Sequence, residues 1–300
     1  MRRTLTLCVM MLALTAGLAQ AAKGGNQLNK KPSAEPGTQA HVARWTRSAP
    51  TVDGELSPGE YSAAVPLHLT FNQRDRSSGI LPGEQMADSK PIDLSYRVLI
   101  TYDEDNLYIA FDVTDDVLID DSDIERPWHD DVAEVFIDGD DVGNDYQLCS
   151  SCYNREGFQL LTDIGGDTLT QSAESIDWGT AVGFTNKGYV VEFRVALSSI
   201  DTQDGPGTSV PGPGSTIGFN VTVGDDDNGG LPYNDSGTDF VDPTDSYGAW
   251  DGDADGWSHR REDDWGSLYF APTNGRGKIA GSALPHATWG GLKLETQGIR

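Results

Sequence analysis

The feature that most constrains this chain is a two-residue alternation of apolar and polar side chains. In Ser95–Tyr102 ("SYRVLITY"), Tyr96, Val98, Ile100 and Tyr102 fall on one face. Asn106–Val113 ("NLYIAFDV") follows after a tight acidic turn, with Leu107, Ile109, Phe111 and Val113 alternating in the same way. Side chains alternate across a strand, so the pattern predicts a hairpin with a buried face. Tyr189–Leu197 repeats it after the turn Asn186-Lys187-Gly188, Thr216–Gly224 repeats it again, and Gly266–Ala271 reads as a closing strand. Helical periodicity is almost absent, and Gly and Pro punctuate nearly every segment. The expected fold is all-β: one β-sandwich or jelly-roll-like domain of antiparallel strands over residues 41–272.

The flanks read differently. Arg2 and Arg3 precede an apolar run from Leu5 to Leu18, and Ala19-Gln20-Ala21 closes it with small residues. That is the grammar of a secretory signal cut after Ala21, giving an exported chain, secreted or periplasmic. The run is short for a membrane span, and no later stretch is apolar enough for one, so membrane insertion is not expected. Residues 22–40 are rich in Gly, Lys, Pro and Ser and read as a flexible linker; residues 273–300 form a Gly-rich tail with weak patterning.

Charge narrows the partners. The chain carries 21 basic and 47 acidic residues. Without Arg2 and Arg3 the balance is 19 against 47, a net −28. Such a surface repels phosphate backbones and anionic lipids, which excludes nucleic acid as an expected partner and favours neutral ligands and divalent cations. The two cysteines beyond the signal, Cys149 and Cys152 in "LCSSCY", read as a local disulfide in an exported chain. A redox pair would sit after a buried strand at a helix start, and a zinc site would need two further ligands close by.

Asp251–Glu262 ("DGDADGWSHRRE") has Asp at loop positions one, three and five, Gly at six and Glu at twelve. This is the spacing of a calcium loop, in which hard carboxylate oxygens surround the ion and Gly permits the turn. The expected ligands are Asp251, Asp253, Asp255, the backbone of Trp257, and Glu262. The flanks are not helical, so the loop would be grafted onto a β domain; the alternative is a solvated acidic loop. Bound calcium would fix the backbone of Trp257 and so pre-organise an aromatic platform. "GDDDNGG" (Gly224–Gly230) is a second Asp cluster, either an ion site or a polar turn.

Several blocks occur in a telling order. "APTVDGELSPGEYSAA" is followed by "VLITYDEDNLYIAFDVTD", "PWHDDVAEVFID", "IGFNVTV" and a Trp-containing segment running into "WGSLYF". In this order they resemble the family 9 carbohydrate-binding modules over about residues 45–271. The resemblance implies a calcium-containing β-sandwich that holds a sugar between two tryptophans, with polar side chains gripping its hydroxyls. Residue by residue, Trp128 matches the first tryptophan and Glu134 an acid that bonds hydroxyls. Trp257 matches the second tryptophan, with Trp250 as its competitor. Gln159 stands where the family has arginine, and Thr222 where it has glutamine. The implied function is an exported, non-catalytic carbohydrate-binding protein acting on plant-type or other β-linked glycans, such as xylan or cellulose. It would support polysaccharide catabolism beside glycan-degrading enzymes.

The residues themselves agree with that chemistry. Aromatic faces cover the C–H faces of a pyranose, and carboxylates or amides bond its equatorial hydroxyls. Trp128 could instead be core filling and Glu134 a solvated strand residue. A glycoside hydrolase would need two carboxylates at set distances, which 47 acids make easy to imagine and hard to credit. A haem-binding electron-transfer subunit would need axial ligands, for which Met86 and Lys90 are thin material. A cell-surface adhesion or structural module without a sugar site is the remaining alternative.

Overall fold

The hairpin read from the alternation forms in register. Strand β3 (Leu94–Tyr102) pairs antiparallel with β4 (Asn106–Asp115), from Leu94 opposite Asp115 to Tyr102 opposite Leu107. Asp103 closes the turn: its Oδ1 accepts the amides of Asp105 and Asn106 at 2.9 and 2.8 Å. The structure, a computed structural model, describes residues 39–69, 94–122, 127–141, 157–171, 175–203, 208–227, 246–250 and 265–273. The signal segment, most of the linker, nearly all of the tail, the Cys149–Cys152 pair and Met86 with Lys90 lie outside the described residues.

The other described strands are β1 (Ala40–Trp45), β2 (Leu67–Leu69), β5 (Val132–Asp138), β6 (Gly157–Asp163), β7 (Thr168–Gln171) and β8 (Trp178–Phe184). They are followed by β9 (Gly188–Ala196), β10 (Thr216–Asp225), β11 (Ser246–Ala249) and β12 (Gly266–Phe270). They form one curled sheet in the order β7-β6-β5-β10-β12-β1-β3-β4-β9-β8, with β11 on β10 and β2 on β3. β1 is the seam. Its Ala40–Ala43 stretch pairs with β12 and its Arg44–Trp45 end with β3, both in parallel, where every other described pairing is antiparallel. One short strand thereby joins two layers.

The layers close over the main apolar core. Val98, Ile100, Phe111 and Phe193 meet Val135, Leu160, Phe219 and Val221, all fully buried. Burial of such side chains is worth about 1.5–3 kcal/mol each, so their phase decides which face of each strand points inward.

The "VDGELSPGEY" stretch caps the outer face of the second layer. Glu192 on β9 accepts the amides of Asp53 (3.0 Å) and Gly54 (2.8 Å) and the hydroxyl of Tyr61 (2.9 Å). Gly54 has φ +81°, and a Cβ there would lie 2.6 Å from the carbonyl carbon of Val182, so this close crossing requires glycine.

Candidate functional site

On β5, Ala133, Val135 and Ile137 enter the core, which turns Glu134 and Phe136 to the opposite face. The same alternation puts Gln159 of β6 and Thr222 of β10 on that face, beside Glu134. Register then brings the three together. Glu134 is the ladder partner of Thr222, and Gln159 is the partner of Phe136 next along the strand. Thr222 Oγ1 donates to Glu134 Oε2 at 2.6 Å, and Gln159 Nε2 donates to Glu134 Oε1 at 3.2 Å. All three are buried, with Glu134 only 4% exposed. The solvated-strand alternative for Glu134 therefore does not hold. Asn220 and Trp265 share this face; Trp265 packs on Phe136 with ring centroids 5.4 Å apart.

Trp128 behaves as neither strand nor core. It lies in a 3-10 turn, Pro127–His129, that packs against β5 and β6. Pro127 and His129 are buried, but Trp128 is 38% exposed. The core-filling alternative fails for this tryptophan and holds for another. Trp250, the competitor for the second platform, is buried in the main core, its ring against Phe219 and His41. It presents no face to a ligand. Trp257 and the loop Asp251–Glu262 lie outside the described residues.

A carboxylate centre adjoins the Trp128 turn. Asp115 ends β4, Asp131 immediately precedes β5 and Asp225 ends β10. One carboxylate oxygen from each lies within 4.8 Å of the others, and all three residues are buried. Asp131 is tied on both oxygens, Oδ2 accepting the Ile119 amide (2.8 Å) and Oδ1 the Asp226 amide (2.9 Å). Asp130 accepts the amides of Asp121 (3.1 Å) and Ser122 (2.9 Å) and forms a further oxygen group with Asp120 and Asp163. Loop 116–122, the Trp128 turn and the end of β10 are thus laced through two aspartates.

The electrostatics of this centre are unfavourable as it stands. Burial, and then the charge of Asp115, pushes Asp131 up to about 9. Burial pushes Asp163 up to about 7. The Tyr189 hydroxyl, fully buried, has no hydrogen-bond partner among the described residues. Its own ionisation is disfavoured by burial and by the charges of Asp131, Asp115 and Asp225. Three clustered carboxylates with a phenol beside them form a hard-oxygen donor set that fits a calcium-like ion. Sequence reasoning marked only Asp225, inside "GDDDNGG". Asp115 and Asp131 sit in "VTDDV" and "WHDDV" without any local spacing that would mark them.

Residues 79–257 match the family described as carbohydrate family 9 binding domain-like. Over 129 residues the chain is 30% identical to an endo-1,4-beta-xylanase A from Thermotoga neapolitana, and over 130 residues 28% identical to one from Thermotoga maritima. Each match spans 43% of this chain and 11% of the xylanase. Two solved structures of a family 9 carbohydrate-binding module from Caldicellulosiruptor kristjanssonii share the fold. The complex with cellotriose superposes with a TM-score of 0.53 at 17% identity, covering 80% of this chain and 99% of that one. The complex with glucose gives 0.55 at 16%, covering 80% and 100%.

Proposed function

The chain belongs to the carbohydrate family 9 binding domain-like family, and from that premise we propose that it is an exported, non-catalytic protein that binds β-linked glycans. The observation that carries the reading is one arrangement. An exposed tryptophan, Trp128, stands six residues before Glu134, whose buried carboxylate is aimed by Gln159 and Thr222 from the two flanking strands. The indole supplies an apolar face for a pyranose ring. The polar trio supplies acceptors and donors for its hydroxyls, held in place by the ladder rather than by flexible loops. The relatives' names favour xylan or cellulose as the polymer, with Trp257 as the second face. The short shared stretch in the xylanases favours a role beside glycan-degrading enzymes.

Calcium is the ion proposed for the centre at Asp115, Asp131 and Asp225, with the Tyr189 hydroxyl facing it; the loop Asp251–Glu262 is a further candidate. Bound calcium supplies positive charge that offsets three buried carboxylates. Asp130 and Asp131 hold loop 116–122 against the turn that carries Trp128, so neutralising this cluster favours one orientation of the indole.

The test is titration of residues 22–300 with xylo- and cello-oligosaccharides, followed by tryptophan fluorescence, in calcium and again in EDTA. A saturable response that weakens in EDTA and disappears in Trp128→Ala supports the reading. Folded protein with no response to either series refutes it for these ligands and brings the adhesion reading forward.

A further inference from the structure

A cavity lies at the other end of the sandwich. β3 runs from Leu94, opposite Asp115, to Tyr102, opposite Trp45 of β1. Eight steps at about 3.3 Å put Trp45 about 26 Å along the strand from the carboxylate centre. A cavity of about 610 Å³ opens there, within the range that holds a small ligand. Trp45, Arg47, Thr51 and Glu60 line it, with Thr46 and Ser48.

Its walls are set before any ligand arrives. The Trp45 ring meets Tyr102 edge-on, with centroids 5.4 Å apart at 88°. Thr46 donates its amide to the Tyr102 carbonyl and its hydroxyl to the Ser48 carbonyl, both at 2.8 Å. Glu60 spends both carboxylate oxygens on backbone amides, those of Thr51 at 2.7 Å and Ser57 at 3.0 Å. Arg47 is different. It is exposed and makes no ion pair among the described residues. Of the four described arginines, Arg97 and Arg194 pair with aspartates, whereas Arg47 lines the cavity without an ion pair among the described residues.

We propose that this cavity is a second glycan site, specific for a uronic acid residue. Trp45 offers the apolar face on which a pyranose lies. The Arg47 guanidinium matches a carboxylate in a two-bond fork, which a neutral sugar cannot use. Hydroxyl side chains at the rim are suited to the remaining ring hydroxyls. The proposal is independent of the Trp128 site, because the two share no residue and the carboxylate centre that adjoins the Trp128 turn lies at the opposite end of β3 from Trp45.

Calorimetric titration of residues 22–300 in a Trp128→Ala background tests it, with glucuronic acid, glucose and acetate as separate probes. Glucuronate binds one site per chain, at least about tenfold tighter than either glucose or acetate. Arg47→Gln weakens it at least about tenfold with near-ultraviolet circular dichroism unchanged, Arg47→Lys weakens it less, and added salt weakens it further. Glucose binding as tightly as glucuronate, affinity indifferent to Arg47→Gln, or no glucuronate binding to folded protein each overturns the proposal. Acetate binding as tightly as glucuronate also overturns it, since the site would then recognise a carboxylate and not a sugar. Because Trp128 is already absent, failure of the first site cannot be mistaken for failure of the second.

Discussion

Thr222 donates its hydroxyl to Glu134 at 2.6 Å, and the two residues, 88 positions apart in sequence, face each other across the β10–β5 ladder. The bond is fully buried on both sides. A hydrogen bond to a buried carboxylate is worth about 1.5–3 kcal/mol, more than one between neutral groups. Thr222→Val keeps the shape and removes the donor. It is expected to cost about 2 kcal/mol in urea unfolding and to weaken oligosaccharide binding, since Glu134 then loses one of the donors that aim it. Unchanged affinity in the folded variant would show that Glu134 does not face the sugar.

Trp128→Ala separates binding from stability. The side chain is 38% exposed and sits outside the core clusters. Loss of one stacking face is expected to cost about 1.5 kcal/mol of binding, roughly a tenfold rise in Kd. Thermal unfolding should barely move. Trp250→Ala should do the reverse, destabilising the fold by about 3–5 kcal/mol through the cavity it leaves.

Glu192→Ala removes the acceptor shared by Asp53, Gly54 and Tyr61. The Gly54 amide bond is buried, and leaving such donors without an acceptor costs about 1–3 kcal/mol each. The expected signature is local: faster hydrogen exchange at the Asp53 and Gly54 amides, with the amides of the β3–β4 hairpin still protected.

The carboxylate centre makes stability depend on pH in an unusual direction. In metal-free protein Asp131 is raised to about 9 and Asp163 to about 7, chiefly by burial. A raised carboxyl holds its proton more tightly in the folded state than in the unfolded chain. Its stabilising contribution is therefore complete below about pH 4 and is lost as pH rises toward 7 and then 9. Tm in EDTA should fall between pH 5 and pH 9. Added calcium should raise Tm most at the alkaline end and flatten the slope, because an ion then replaces the protons. Asp131→Asn should abolish that calcium response. A metal-free Tm that climbs over the same range would contradict the cluster's geometry.

The hairpin of β3 and β4 was readable because its information is local: period-two alternation assigns each side chain a face without any partner being known. The closing strand β12 was readable for the same reason, but its parallel bond to β1 was not. Ala40–Trp45 shows weak alternation, and its two-sided role depends on β12 and β3 being present. For the candidate site, Trp128, Glu134, Gln159 and Thr222 were marked by resemblance to a family. Alternation alone gave Glu134 a face but not its partners. Trp128 and Trp250 could not be told apart as platform and core from residue type.

What the sequence by itself determined is the all-β class, the phase of each long strand and the net acidic character of the chain. These follow from side-chain periodicity and composition, which need no knowledge of what lies across the sheet. The tertiary structure alone decided that Glu134 lies between Gln159 and Thr222, that Trp128 remains exposed while Trp250 is buried, and that Asp115, Asp131 and Asp225 converge. Register between strands 25 and 88 residues apart aims the first group. The ends of strands from both layers meet at the second. Such proximity is fixed by packing the whole core, and no local pattern of spacing encodes it.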